Sequence, residues 1–206
     1  MDRNLSINEF NFLPLRYIHP SWLKTISGGK YVEKMRSCTR TEYRLSRYLL
    51  SCFGLENEFC FNFTDQVKSI ALLDNDQITK VVQHAGLAVN REHIKKIIAR
   101  DDVVQLKQQI GEEAYVFALK RAPFLGEIPE FPSSYKSEHM PTNIIVSGIR
   151  CLATIFSDDS AVFKRVLLKF PSLWEPYSEL PASLISKERR KASSLLVRIQ
   201  AELEGI

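Results

Sequence analysis

From about residue 41 onward, apolar side chains recur with the period of an α-helix. Ile78, Val81, Val82 and Ala85 fall at i, i+3, i+4 and i+7, one stripe of an amphipathic helix, with Asp74 before it as N-cap and Gly86 after it as a stop. The pattern then predicts a helix capped by Asn90 with Ile94, Ile97 and Ile98 on its apolar face. A third opens at Asp101, buries Val103, Leu106 and Ile110, and stops at Gly111. A fourth runs from Glu112 to about Ala122, before Pro123. Beyond a break, a helix starting near Pro141 carries Ile145, Ile149, Leu152 and Phe156. Asp158 caps the next, with Val162, Phe163, Val166, Leu167 and Phe170 inward. A final helix opens near Ser186 with Ala192, Leu195, Leu196, Ile199 and Leu203 on one side. The spacings differ and no consensus recurs, so this is not a repeat array.

The first 40 residues are less regular. Phe10, Phe12, Leu13, Leu15, Tyr17, Ile18, Trp22 and Leu23 concentrate so much apolar surface that the segment must be buried, while Pro14 and Pro20 exclude one long helix. Strand signal is confined to Glu58–Phe63, and a lone strand leaves its main chain without partners. Residues 123–141 form a connector punctuated by Pro123, Pro129, Pro132 and Pro141, with Gly126, Ser133 and Ser134 between them. It reads as an ordered or half-ordered linker over the surface, a plain loop or a functional one. The expectation is one all-α domain, residues 1–206, of short helices packed antiparallel and orthogonally.

Composition changes this picture little: 45% apolar and 25% charged residues are ordinary globular values. The net charge of +4 is mildly basic and fits an acidic protein partner as well as a solvated surface. Cys52 and Cys151 sit in apolar helical contexts and read as buried hydrophobes, and neither they nor Cys38 and Cys60 form a CxxC pair. With no disulfide framework, no signal-peptide layout at Met1–Asn4 and no apolar run longer than Ile144–Phe156, the expectation is a cytosolic protein that does not insert into a membrane.

Candidate chemistry is refused site by site. Ser27-Gly28-Gly29-Lys30 lacks the upstream glycine and the hydroxyl after lysine that a phosphate loop needs, and reads as a turn. Asp74-Asn75-Asp76 begins like a calcium loop, but Thr79 and Ala85 stand where glycine and glutamate are required. His19, His84, His93 and His139 have no ligand-spaced neighbours, and no serine or cysteine has a nucleophile's context. No catalytic residue, metal site or cofactor is expected. Lys187, Arg189, Arg190 and Lys191 on the last helix are a solvated face, a contact for an acidic protein, or a contact for nucleic acid phosphates. No aromatic residue interleaves with them for base stacking.

The order of features resembles the SctK family of type III secretion systems, whose members in different bacteria include YscK and OrgA. Phe12-Leu13-Pro14-Leu15-Arg16-Tyr17-Ile18-His19-Pro20 is similar to the family's P-x-x-Y-[IL]-H segment. The run from Leu87 through Ile98 into the 101–122 pair, followed by the prolines of 123–132, is a second likeness. Ile144-Ile145-Val146-Ser147-Gly148, leading to Arg165-Val166-Leu167-Leu168-Lys169-Phe170-Pro171, resembles the family's "SG" helix and its KRLxLRxP stretch. Residues 25–65 carry none of these motifs. The resemblance implies a non-enzymatic cytosolic adaptor of the sorting platform. Its implied partners are the cytoplasmic domain of an inner-membrane ring protein (SctD-like) and the pod protein (SctQ-like); nucleic acid is not among them. It supplies no active site. Tyr17, Ile18, His19 and Pro20 are then a folding anchor or an interface, with apolar density favouring the anchor. Two regions stand out as partner surfaces: the basic helix with Arg189, Arg190 and Lys191, and the short-helix block from Asp74 to Ala122. The rival readings are a small basic helical nucleic-acid-binding protein and an enzyme whose site assembles only in the fold.

Overall fold

The computed structural model describes residues 5–132 and 139–205, so Met1–Asn4 and the Ser133-Ser134 pair lie outside the described residues. Every regular element among them is helical. In chain order the α-helices are α1 (Ile7–Phe12), α2 (Pro20–Leu23), α3 (Gly29–Met35), α4 (Glu42–Cys52), α5 (Gln66–Ser69) and α6 (Asn75–Val89). There follow α7 (Arg91–Lys95), α8 (Arg100–Ile110), α9 (Glu112–Lys120), α10 (Met140–Phe156), α11 (Ser160–Leu167) and α12 (Ala182–Glu204). The chain forms two compact units, one from residues 1–78 and 156–176 and one from 79–155 and 177–206.

In the first unit, prolines set the N-terminal breaks. Ser6 and Glu9 make a reciprocal capping box on α1. Pro14 opens a single 3₁₀ turn, Pro14–Arg16, and Pro20 opens α2, positions where the missing amide costs nothing. The short pieces bury their apolar side chains: Phe10, Leu15, Tyr17, Ile18, Trp22 and Leu23 are all in the interior. Each such burial contributes roughly 1.5–3 kcal/mol. Glu58–Phe63 forms no strand, yet residues 58–64 run without turn or bend. The Asn11 side-chain amide donates to the Cys60 carbonyl at 2.6 Å and accepts from the Cys60 amide at 3.0 Å. One carboxamide on α1 thus does for Cys60 what a neighbouring strand would do.

In the second unit, α6 and α10 meet backbone to backbone. A Cβ at Gly86 would lie 1.8 Å from the Ile144 carbonyl oxygen, and one at Gly148 would lie 2.1 Å from that of Val82. Only glycine permits this approach. Beside Gly148, the Ser147 hydroxyl accepts from the Asn90 side chain at 3.0 Å. The connector is pinned where it is described: the Glu130 amide donates to Glu188 on α12, and Arg150 on α10 donates to the Pro132 carbonyl.

Several local expectations are corrected. Gly86 does not stop a helix: α6 runs through it to Val89, because contact with α10 rather than a left-handed turn is what requires glycine there. Asp159, not Asp158, caps α11, accepting from the Val162 amide while its other oxygen pairs with Lys68. Ile98 is 88% exposed, because α7 ends at Lys95 and Ile98 falls in the irregular link before α8. Cys52 is exposed at the end of α4, where the buried stripe is Leu45, Ser46, Leu49 and Leu50; Cys151 is buried. The last helix begins at Ala182, a turn earlier than Ser186, directly after the extended backbone of Pro181. Asp74 does cap α6, in a reciprocal pair with Gln77.

Candidate interaction surfaces

The family-like N-terminal segment sits at the centre of a buried polar knot. Tyr17 is 2% exposed; its hydroxyl donates to the Phe10 carbonyl at 2.8 Å, and its own carbonyl accepts from Asn75 at 2.7 Å. Burial pushes the Tyr17 phenol up, against the lowering charge of Arg165. Ile18 is fully buried and its carbonyl accepts from Arg36. The His19 amide donates to the Leu168 carbonyl at 2.7 Å, while its ring caps α2 through the Ser21 amide. Burial, then the nearby Arg36, holds the His19 imidazole below its usual value. Pro20, at the first position of α2, is the exposed member of the four.

Two cations close this knot from below. Lys169 is 2% exposed and donates to the carbonyls of Ala71 at 2.7 Å and Leu73 at 2.5 Å, with its ammonium over the rings of Phe10 and Tyr17 at 5.4 and 5.5 Å. Burial lowers its pKa to about 7, against the raising charge of Asp74. Arg165, 1% exposed, donates to the carbonyls of Leu55 and Ala161 and lies 5.7 Å from the centre of the Phe59 ring. Burial lowers the Arg165 pKa as well. These cations satisfy carbonyls of the loops at Leu55 and Leu73, of the 3₁₀ turn at Ala71 and of α11 itself at Ala161, and they face no solvent, so the KRLxLRxP-like stretch stands in the interior. Sequence reading missed them, though a signal existed. Val162, Arg165, Val166, Lys169 and Phe170 occupy i, i+3, i+4, i+7 and i+8, so the cations share the apolar stripe of α11.

The basic run on α12 is built differently. Glu188, with a side chain 0% exposed, lies in its midst and is approached by Lys191 at 3.3 Å and Lys187 at 3.6 Å. Burial pushes its carboxyl up, but the Glu130 amide and the two lysines outweigh that and hold it below the usual carboxylate range. Arg189 and Lys191 are half-buried and Arg190 is exposed, so consecutive positions spread the three around the helix rather than onto one face. Glu188 is the residue sequence reading passed over.

The short-helix block offers other features. Around the exposed Ile98 stand Lys95, Lys96 and Arg100, with Lys95 paired to Glu92. His84 stacks edge-on against Phe117 with its Nδ1 at the Lys80 carbonyl, and burial lowers its pKa. A cleft of about 640 Å³ is lined by Asn90, Glu92, Pro129, Phe131, Asn143 and Arg150, among others. Among the described residues no three His, Cys, Asp or Glu side chains converge as a metal site would require. No described helix is long and apolar enough to cross a membrane.

Comparison with known proteins agrees with the sequence motifs. The family model described as YOP proteins translocation protein K (YscK) matches residues 4–204, nearly the whole chain. No curated protein and no solved structure matches it.

Proposed function

Because the chain belongs to the YscK family of type III secretion proteins, we propose that it is a non-enzymatic adaptor working on the cytoplasmic side of the inner membrane. In this reading it joins the cytoplasmic domain of the inner-membrane ring protein to the pod protein of the sorting platform. An adaptor needs two separate surfaces, since both partners are held at once. The basic helix α12 is one and the short-helix block 74–122 is the other. Tyr17, Ile18, His19 and Pro20 serve as a folding anchor rather than as an interface.

The observation that carries the assignment of α12 is the buried Glu188. It ties the helix to the Glu130 amide and so presents Arg190 and Lys187 on a fixed scaffold. The same residue argues against the nucleic-acid reading. Lys187 and Lys191 are already ion-paired to it, so part of the cationic run is neutralised from below and is not free for a phosphate backbone. Charges at an interface rim chiefly set partner choice and encounter rate. Reversing Arg189 and Arg190 to glutamate should therefore weaken one partner about tenfold or more and spare the other. Both bindings are measured by titration calorimetry and effector secretion is followed in the complemented strain. Normal binding of both partners would reduce α12 to a solvated face. Failure of the unaltered protein to bind either partner would sink the adaptor reading, and DNA binding that falls steeply with salt would replace it.

A further inference from the structure

The feature left unused by this reading is the segment 58–64 of the first unit, irregular in secondary structure, whose end is folded on itself where the Asn62 side chain accepts from the Thr64 amide at 3.3 Å. Phe59, Phe61 and Phe63 alternate with Glu58, Cys60, Asn62 and Thr64. Phe59 and Phe61 gather with Phe12 of α1, ring centres 4.8, 6.3 and 6.5 Å apart, and Phe63, next in the same alternation, is buried against Phe10. Phe59 and Phe61 stay 39% and 59% exposed. The alternate positions begin with Glu58, and Glu56 and Asp65 stand at the two ends; all three carboxylates are exposed.

The hydrogen bonding fixes which edge is open. Cys60 directs both its amide and its carbonyl at the one Asn11 carboxamide, which is the geometry of a residue in a strand. In such a chain the neighbouring residues direct theirs the opposite way. The amides and carbonyls of Phe59 and Phe61 therefore line the other edge, and they make no hydrogen bond to any described residue. One edge is closed by a side chain from α1 and the other is left as a short template.

We propose that residues 58–64 form a docking edge for an extended segment of another protein, one in which apolar and basic residues alternate. Main-chain pairing to Phe59 and Phe61 supplies the register, as in other cases of strand addition. The alternation of the added strand lays its apolar side chains over Phe59, Phe61 and Phe12 and its lysines or arginines beside Glu58, with Glu56 and Asp65 at the ends. The acidic rim selects a basic peptide and disfavours an anionic lipid surface. The inference is independent of the adaptor reading and of which surface α12 serves.

The test uses the full chain and a fluorescein-labelled peptide of alternating lysine and valine, seven residues long. Anisotropy should show saturable binding. It should weaken at least tenfold when the central valine is replaced by proline, which removes a donor, and again when glutamates replace the lysines. Phe61→Asp, at an exposed position, should abolish binding while the melting temperature is kept, and Glu58→Lys should weaken it and flatten its salt dependence. Amide exchange at Phe59 and Phe61 should slow only with the proline-free peptide. Equal binding of the proline peptide, or no change with Phe61→Asp, overturns the proposal. So does the absence of saturable binding up to about 1 mM. Sedimentation showing that Phe61→Asp dissociates a pair of chains, or flotation of the protein with anionic vesicles through this patch, would assign the surface to another occupant and likewise overturn it.

Discussion

Lys164, Arg165 and Lys169 around α11, and Lys187, Arg189, Arg190 and Lys191 on α12, are two clusters of cations in amphipathic helical sequence. Their fates differ. Arg165 and Lys169 lie in the interior of the first unit, whereas on α12 Lys187 and Arg190 face solvent. The difference is one of phase. Arg165 and Lys169 fall on the stripe of Val162, Val166 and Phe170. On α12 the corresponding stripe is Glu188, Ala192, Leu195, Leu196 and Ile199, all buried, so the acid goes inward and the cations flank it. A buried cation survives where loop carbonyls and aromatic faces surround it, and a buried carboxylate where an amide and two lysines do. Charge runs therefore carry no meaning until their register against the apolar stripe is known.

The comparison is broken most severely at the aromatic floor under Lys169. Tyr17→Ala removes a fully packed ring and orphans the Phe10 carbonyl, and should cost about 4 kcal/mol in urea denaturation. A cost under about 1 kcal/mol would mean the segment is no anchor. If the variant instead kept its stability and lost a partner, the segment would be an interface.

Lys169→Met should cost about 2 kcal/mol near neutral pH, since two carbonyls lose their donor. Its pH dependence is the sharper measurement. Burial lowers the folded-state pKa to about 7 from an ordinary 10.5, so between those values the native protein binds fewer protons than the unfolded chain. Stability from this group rises with pH across that window. The wild type should gain on the Met variant between pH 7 and 10, and taking the difference cancels Tyr17 and Cys151. A constant difference would mean the lysine stays fully charged in the core.

Glu188→Gln tests the other side. It keeps an acceptor for the Glu130 amide but leaves the two lysines without their counter-charge, and should cost about 1 kcal/mol. Because the folded carboxyl is held below its ordinary 4.5, this contribution is present above that value and is lost as pH falls through the lowered one. The gap between wild type and variant should therefore close on acidification. The smallest effect belongs to Arg190→Glu, an exposed position, where the melting curve should move by less than about 0.5 kcal/mol. A larger loss would show that the basic run is held in the fold as Lys169 is.

Much was determined by sequence alone. Helix existence, the Asp74 cap, the Gly111 stop between α8 and α9, the breaks at Pro14 and Pro20 and the burial of Phe10, Tyr17 and Trp22, though not the full burial expected of Phe12 and Leu13, follow from local sterics and apolar period, which act within a few residues. What only the tertiary structure decided depends on partners far along the chain. Gly86 is a contact rather than a stop because Ile144 lies against it, and Gly148 answers it at Val82. Asn11 was one more polar residue on a short helix until Cys60, 49 positions away, met its carboxamide. The charge of Lys169 and Arg165 did not mark them for the interior, although their place on the apolar stripe was readable. What was not readable was that carbonyls from Ala71, Leu73 and Leu55 would be there to receive them. Period and propensity are properties of neighbours in sequence; the satisfaction of a buried polar group is a property of neighbours in space.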